Sequence, residues 1–188
     1  MRVISGKYGS RRLKAVQGDH TRPTTDKIKE SIFNLLGGSI DGGQVLDFYG
    51  GSGALAIEAV SRGADMAVIC ENYRPAVRAI QDNILITKED QRFKVLVGDN
   101  YQKLKDYLQA CPTLKFSLVF LDPPYHKEKI IKDIEFLQQL DCLSNETRII
   151  CETDNQTNLP PIIGLWKLEK EKKYGQTYVR IYQRGVVE

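Results

Sequence analysis

From position 44 onward, short apolar runs alternate with stretches whose apolar residues recur at helical spacing. In one such stretch Ala76, Ile80 and Ile84 share a helix face. Alternation of this kind predicts an α/β protein, with a parallel sheet and right-handed crossovers. The apolar runs are predicted to be buried strands because they are short and rich in β-branched residues. They are Val45–Phe48, Met66–Cys70, Phe93–Val97, Leu118–Leu121 and Arg148–Cys151.

Both ends of the chain depart from this alternation. Near the amino end, two short strands are predicted around a glycine-containing turn. A helix follows, capped by Thr24, Thr25 or Asp26, and it ends at Gly37. Near the carboxyl end, residues 165–183 predict a hairpin. We therefore divide the chain into an amino-terminal hairpin and helix (1–38) and a main domain (39–188).

The charge pattern also sets both ends of the chain apart from the middle. Its 188 residues carry a net charge of +3. Residues 1–30 have a net charge of +5 and residues 166–188 of +3, while the segment between them is acidic. Basic segments neutralise phosphates and steer polyanions, so both ends are candidate nucleic-acid contacts.

Several classes of protein and site are not expected. No apolar run approaches the roughly 20 residues that a membrane span needs, and the amino end resembles no secretory signal, so we expect a cytoplasmic protein without a membrane partner. The four cysteines lack zinc-ligand spacing, and no metal site is expected.

A glycine loop, Asp47 to Gly53, follows the first strand of the alternating region. Such loops bring ligands to backbone N–H groups at a helix N-terminus. The pattern fits a dinucleotide fingerprint, and Glu71 lies at the expected distance beyond Gly51, so a nicotinamide or flavin enzyme is one interpretation.

Acidic residues at strand ends favour a different ligand. Asp47 would repel a pyrophosphate but suits an ammonium or sulfonium group, and S-adenosylmethionine carries both. Glu71 is placed to accept hydrogen bonds from ribose hydroxyls, and Asp99 from the adenine amine. All three acids follow predicted strands, where open α/β sheets bind ligands. The alternative for any one of these acids is a helix cap, and Asp99 taken alone fits a cap equally well.

The strand Leu118–Leu121 runs into Asp122-Pro123-Pro124-Tyr125. Two prolines stiffen this turn, so the Asp122 carboxylate and the Pro123 carbonyl are held at fixed positions. Together they can accept both N–H bonds of an exocyclic amine and aim its lone pair at a methyl donor. Tyr125 can stack on the base. The turn therefore predicts amine methylation on a nucleic-acid base.

These motifs resemble class I S-adenosylmethionine-dependent methyltransferases, and in particular the bacterial 16S ribosomal RNA (guanine-966-N2) methyltransferases. The loop departs from the family's usual Asp-Leu-Phe-Ala-Gly-Ser-Gly at Phe48, Tyr49 and Gly50. Further segments carry the likeness over nearly the whole chain: Arg2-Val3-Ile4-Ser5-Gly6, Leu13, Arg22-Pro23-Thr24-Thr25-Asp26, Glu58 to Ala64, and Tyr174-Gly175 to Tyr182.

The resemblance implies a Rossmann-like, seven-stranded sheet with its last strand antiparallel, helices on both faces and a small amino-terminal β-hairpin plus helix. It implies a reaction that leaves S-adenosylhomocysteine. The implied cofactor-binding residues are Asp47, Phe48, Gly50, Gly51, Ser52, Gly53, Glu71, Asn72, Asp99 and Asn100. The implied catalytic residues are Asp122, Pro123, Pro124 and Tyr125.

The expected partner is 16S ribosomal RNA in an assembled or partly assembled small subunit. Basic side chains of the amino-terminal segment are crowded, so we expect that they cannot all be paired locally. Its candidate RNA contacts are Arg2, Lys7, Arg11, Arg12, Arg22 and Thr24. Two alternatives stay open: an adenine-N6 methyltransferase of DNA or RNA, whose amine the same turn would serve, and a non-catalytic RNA-binding module on this fold.

Overall fold

The computed structural model describes residues 1–16, 25–124 and 129–185. The helices in these ranges are α1 (Asp26–Leu35), α2 (Ala54–Ser61), α3 (Arg74–Thr87), α4 (Asn100–Ala110) and α5 (Ile130–Gln139). The strands are β1 (Gln44–Asp47), β2 (Met66–Glu71), β3 (Phe93–Val97), β4 (Phe116–Leu121), β5 (Leu143–Asp154), β6 (Ile162–Ile163), β7 (Trp166–Tyr174) and β8 (Thr177–Arg184).

One sheet contains all eight of these strands, in the order β3-β2-β1-β4-β5-β8-β7-β6. Strands β1 to β5 are parallel, and β8 runs antiparallel to β5. The predicted α/β sheet with its antiparallel last strand is confirmed. The structure adds the two-residue β6 at the edge, beyond the seven strands expected. The order reverses between β1 and β4, which opens a crevice at the carboxyl ends of these strands.

Helices cover both faces of the sheet. Apolar residues of α1, α2 and α3 pack on one face, where Phe33 lies against Phe120 with ring centroids 5.8 Å apart. Apolar residues of α4 and α5 pack on the other face. Strands covered on both sides must be apolar throughout, which is why they read as continuous runs. No helix in the described ranges is long and apolar enough to cross a membrane.

The amino-terminal hairpin is shorter than predicted, because much of its backbone bonds to α2 instead of to a second strand. Within the hairpin only Arg2 and Arg12 form a β-bridge. The N–H groups of Ile4 and Ser5 donate to the Glu58 carboxylate, at 2.8 and 3.0 Å. The hairpin is therefore held mainly by its contacts with a helix more than fifty residues away in sequence.

Glu58 is fully buried and sits between two buried cations. Its carboxylate lies 3.2 Å from Lys29 Nζ of α1 and 2.7 Å from Arg62 Nε, one turn further along α2. Lys29 also donates to the Arg2 carbonyl, and Arg62 to the Gly38 carbonyl. One carboxylate thus fixes the positions of α1, α2 and the amino-terminal segment.

A second contact completes this docking at the end of α2. The Ser61 hydroxyl donates to the Ser5 carbonyl (2.6 Å) and accepts from the Tyr8 N–H (2.9 Å), while the Ser61 carbonyl accepts from Lys7. Between them Gly6 has a φ of +82°, and a Cβ there would lie 1.9 Å from the Ser61 carbonyl oxygen. Only glycine allows this close approach.

We predict that Glu58→Gln lowers the free energy of unfolding by about 3–5 kcal/mol, because Lys29 and Arg62 would remain buried without their counter-charge. Burial lowers the pKa of Lys29. Its ammonium will lose a proton more readily in the variant, so the deficit should shrink as pH rises above neutral. Urea unfolding at several pH values measures both effects.

The matched control for that experiment is Glu135→Gln, on the exposed face of α5. It should stay within about 0.5 kcal/mol of the wild type. Equal stability of the Glu58 and Glu135 variants would show that the buried cluster does not hold the fold.

Candidate active site

Three acidic residues meet at the carboxyl ends of neighbouring strands. Asp47 ends β1, and in register it lies beside Ile69 of β2 and Phe120 of β4. Glu71 and Asp122 each lie two residues further along those strands. The acids predicted from the sequence to share one site are therefore brought to one edge of the sheet, at the reversal of strand order.

The glycine loop turns sharply beside this acidic group. The Gly50 N–H donates to the Cys70 carbonyl (2.9 Å), and a Cβ on Gly50 would lie 2.4 Å from Ile69 Cγ2. Gly53 has a φ of +77° and leads directly into α2, with no side chain capping the helix. The loop backbone is therefore open to a ligand at this end of α2.

Asp47 is nearly fully buried among like charges. The pKa of Asp47 is raised to about 7, first by desolvation and then by the charges of Asp122 and Glu71. Hydrogen bonds from the backbone N–H groups of Ala56 and Tyr49 lower this pKa but do not offset the rise. Its Oδ1 atom has no hydrogen-bond partner among the described residues. A buried carboxylate with one unsatisfied oxygen, beside two other acids, fits a cationic ligand. S-adenosylmethionine is such a ligand, because it carries an ammonium and a sulfonium group.

Glu71 is held in place by backbone donors. One carboxylate oxygen accepts from Gly51 (2.8 Å), and the other from Asn72 and Tyr73 (2.8 Å each). A carboxylate offers about four acceptor positions, so three backbone bonds orient Glu71 and leave capacity for a hydroxyl. The predicted Asn72 contributes its backbone here.

The predicted pair Asp99 and Asn100 begins α4. Asp99 is the N-cap of this helix, and its carboxylate accepts from the Gln102 N–H at 2.9 Å. The helix-cap interpretation thus holds for Asp99, whose carboxylate has a second oxygen. Asn100 donates from its side chain to the Phe48 carbonyl (2.7 Å), and its buried Oδ1 has no partner among the described residues.

Tyr49 is one of the loop residues that depart from the usual family pattern, and it ties the loop to α5. Its hydroxyl donates to Asp133 of α5 at 2.8 Å, and the same carboxylate accepts from Tyr101 of α4. Phe48 is fully buried and packs edge-on against both tyrosine rings, so only its main chain lies at the loop. Asp133 had not been singled out from the sequence, because an acid on an amphipathic helix is usually exposed.

Asn83 of α3 joins the amino-terminal segment to the glycine loop. Its buried side chain accepts from the Lys14 N–H (2.7 Å) and donates to the carbonyls of Lys14 (3.0 Å) and Ser52 (2.9 Å). This residue was also missed in the sequence, since a single asparagine within a helix carries no signal of its partners.

The rigid turn after β4 is described as far as Pro124. Asp122 is partly buried, Pro123 is buried and Pro124 is exposed. The Phe120 carbonyl accepts from the Phe48 N–H at 3.1 Å, which ties the start of this turn to the glycine loop. Tyr125, Arg22 and Thr24, which were predicted to contact the substrate, lie outside the described residues.

Most of the basic hairpin side chains find partners outside the hairpin, in α3 and the residues that follow it. Lys7 pairs with Glu89 (2.6 Å), and Lys14 with Asp82 (2.9 Å). Arg11 donates to the last carbonyls of α3, at Ile86 and Thr87. Acidic and carbonyl groups of a distant helix satisfy these charges, a pairing that sequence spacing does not show.

Arg2 and Arg12 differ from those residues. Arg2 lies 3.9 Å from an Asp26 carboxylate oxygen and stays largely exposed. The exposed Arg12 side chain makes no hydrogen bond or ion pair with any residue in the described ranges. Arg12 is therefore the hairpin cation best placed to meet a phosphate.

Comparison with known proteins gives consistent matches along the whole chain. The profile of the family described as "Conserved hypothetical protein 95" matches residues 1–183. "Putative rRNA methyltransferase YlbH" of Bacillus subtilis is 37% identical over 184 residues, covering 98% of this chain and 99% of that protein. "Ribosomal RNA small subunit methyltransferase D" of Escherichia coli is 32% identical, covering 98% and 90%.

Solved structures agree with these sequence matches. A structure described as "Putative methyltransferase yhhF from Escherichia coli" is 31% identical, with a TM-score of 0.82, and covers 100% of this chain and 99% of that one. A conserved hypothetical protein of Streptococcus pyogenes is 44% identical, with a TM-score of 0.76, and covers 84% and 95%.

Neutralising Asp47 in the acidic cluster should raise the stability of the protein and lower its affinity for the cofactor. Folding raises the pKa of Asp47 from 3.8 to about 7. The contribution of Asp47 to the free energy of unfolding is therefore largest below pH 3.8, and it is lost as the pH rises through about 7. Asp47→Asn should therefore stabilise the unliganded protein at pH 8, by up to about 4 kcal/mol. It should also weaken S-adenosylmethionine binding about tenfold or more, because the cation loses its counter-charge.

Urea unfolding and calorimetric titration measure the two effects. For the wild type, cofactor affinity should fall as pH drops below about 7, where Asp47 becomes protonated. The control is Asp106→Asn on the exposed side of α4, which should change neither quantity. A less stable Asp47→Asn protein with normal cofactor affinity would contradict this account of the site.

Proposed function

We propose that this protein methylates the N2 amine of a guanine in small-subunit ribosomal RNA. The chain belongs to the family described as Conserved hypothetical protein 95, a family of S-adenosylmethionine-dependent methyltransferases. The observation that carries the proposal is the pairing of an acid-lined glycine loop with a rigid Asp-Pro-Pro turn. Both lie at the same edge of the sheet, and the Phe48–Phe120 backbone bond joins them directly.

The cofactor half of the site follows from the acids and the loop. Asp47 faces the positive charge, Glu71 accepts from the ribose, and Asp99 with Asn100 meets the adenine. The loop backbone between Gly51 and Gly53 approaches the ligand without obstruction by side chains. When bound, S-adenosylmethionine supplies an electrophilic methyl group.

The substrate half of the site activates a poor nucleophile by orientation. The lone pair of an exocyclic amine is delocalised into its ring. Asp122 and the Pro123 carbonyl accept the two N–H bonds, which directs the lone pair out of the ring plane toward the methyl group. Asp122 also stabilises positive charge developing on the nitrogen during transfer. Transfer of the methyl group to the nitrogen would break its bond to sulfur and leave S-adenosylhomocysteine, and the proton that the nitrogen then loses would pass to water.

The choice of guanine over adenine rests on family resemblance, because the turn suits either amine. The choice of RNA is supported by the relatives, whose names describe methyltransferases of ribosomal RNA, in one case of its small subunit. A single-stranded or looped target is expected, since the base must leave its stack to reach Asp122.

We propose that residues 1–38 supply an RNA-contacting unit, with Arg12 and Arg2 facing the RNA. Structural cations such as Arg11 support this unit from within. This division of roles replaces the uniform basic arm expected from charge alone.

Asp122 variants test the catalytic assignment. We predict that Asp122→Ala abolishes transfer and that Asp122→Asn is severely impaired, because the amide presents a donor where an acceptor is needed. Cofactor affinity should stay within a few-fold of the wild type. Single-turnover methyl transfer and calorimetry separate the two quantities, and near-normal transfer in both variants would remove Asp122 from the reaction.

The product itself tests the substrate assignment. Purified small subunits and their ribosomal RNA, taken from cells that lack this gene, are incubated with labelled cofactor, and the nucleosides are then separated. We expect labelled N2-methylguanosine. Labelled N6-methyladenine as the main product would instead support the alternative activity.

The hairpin assignment is tested by comparing two adjacent arginines. Arg12→Glu should weaken RNA binding and reduce the slope of log affinity against log salt by roughly 0.7–0.9, the loss of one phosphate contact, with unchanged stability. Arg11→Ala should mainly lower stability, because it frees the carbonyls at the end of α3. An unaltered salt slope in Arg12→Glu would show that this side chain does not meet RNA.

A further inference from the structure

The tip of the β7–β8 hairpin is a second basic surface, on the opposite side of the site from the amino-terminal hairpin. We propose that this tip, residues 172–178, binds the ribose-phosphate backbone of the RNA strand that flanks the target base. The inference rests on the proposed function, since it assumes an RNA substrate at Asp122.

Strand register places the tip beside the site. Leu121 of β4 pairs with Cys151 of β5, Cys151 with Arg180 of β8, and Arg180 with Glu171 of β7. One residue further in the same direction, Asp122 lies at one end of the row and Lys172 at the other. Three strand spacings separate them, or roughly 14 Å, which is within reach of a strand whose target base occupies the site.

Two lysines of the tip keep their charge available. Lys172 and Lys173 are exposed, and neither side chain makes an ion pair or hydrogen bond in the described ranges. The nearby carboxylate of Glu171 is already engaged by Arg180 at 2.6 Å. Residues 172–178 contain no acidic residue, so the tip has a net charge of +2.

Aromatic rings hold these lysines without neutralising them. The Lys172 ammonium lies 5.6 Å from the centre of the Tyr174 ring, and Lys173 lies 5.4 Å from that of Tyr178. Tyr174 is anchored against the core on the α1 side of the sheet. A cation–π contact restricts a long side chain but leaves its N–H donors for a ligand. Phosphate oxygens match such donors, whereas an apolar protein partner would not.

The fold places the two basic ends of the chain on either side of the acidic site. The amino-terminal hairpin docks on α2 and α3, beside β1 to β3, while the tip extends from β7 beyond β5 and β8. Two basic surfaces therefore flank an acidic cleft that receives a cationic cofactor. An RNA strand crossing from one surface to the other would pass over Asp122.

The test compares two charge-reversed proteins. Lys172→Glu/Lys173→Glu changes the tip, and the matched control Lys94→Glu/Lys167→Glu changes two exposed lysines near the amino ends of β3 and β7, at the opposite edge of the sheet. Binding of a full-length 16S ribosomal RNA transcript is measured by filter retention from low to high salt. Cofactor affinity and unfolding are measured alongside.

We expect the tip variant to bind the transcript at least about tenfold more weakly than the control variant, with a salt slope reduced by roughly 1.4–1.8. Its affinity for S-adenosylmethionine and its stability should match the wild type. Equal weakening in both variants would overturn the proposal, because it would reflect net charge alone.

Three further outcomes are distinguishable. Normal transcript binding by the tip variant, with lost methylation of assembled subunits, would point to a protein contact and overturn the RNA assignment. If the wild type methylates the RNA and the tip variant binds and methylates it equally well, the tip proposal alone would be overturned. A wild-type protein that neither binds the transcript nor methylates assembled subunits would overturn the proposed function as well.

Discussion

The buried carboxylate of Glu58 is the constraint on which the amino-terminal half of the structure depends. It has no access to water, so its charge must be compensated by Lys29 and Arg62 and by backbone donors of the first residues. These partners come from three separate segments. Because an uncompensated buried charge is so costly, few arrangements of α1, α2 and the hairpin satisfy all of them together.

The cofactor edge of the sheet is built on the opposite principle. Around Glu58 the negative charge is matched by cations of the protein itself, whereas Asp47, Glu71 and Asp122 repel one another. This repulsion lies at the edge of the sheet where we propose that the cationic cofactor binds. The charge pairs that stabilise the fold thus lie beneath the hairpin, and an excess of negative charge is left at the crevice between β1 and β4.

Local patterns predicted most of the framework. Continuous apolar runs located β1 to β5, Thr25 was among the predicted caps of α1, and the glycine loop and proline turn marked the site. Such features repeat with the period of a helix or strand, or occupy consecutive positions. Glu58 and Arg62 are neighbours for the same reason, since they lie one helical turn apart.

The features that sequence reasoning missed join residues far apart in the chain. Lys29 reaches Glu58, Tyr49 reaches Asp133, and Lys14 reaches Asn83 only after the sheet has formed. No local pattern distinguishes these buried partners from ordinary surface residues. The same limit applies to the hairpin cations, whose availability to RNA depends on which carboxylates the fold brings near them.

The hydrogen bond between the Lys14 N–H and Asn83 makes one movement of the hairpin measurable by hydrogen exchange in solution. The Lys14 side chain is exposed, yet its backbone N–H is bonded to a side chain that is wholly buried. Its proton can exchange with deuterated water only when this part of the hairpin lifts from α3. The exchange rate of the Lys14 backbone N–H therefore reports how often the hairpin separates from Asn83. The same Asn83 side chain also bonds to the Ser52 carbonyl of the glycine loop.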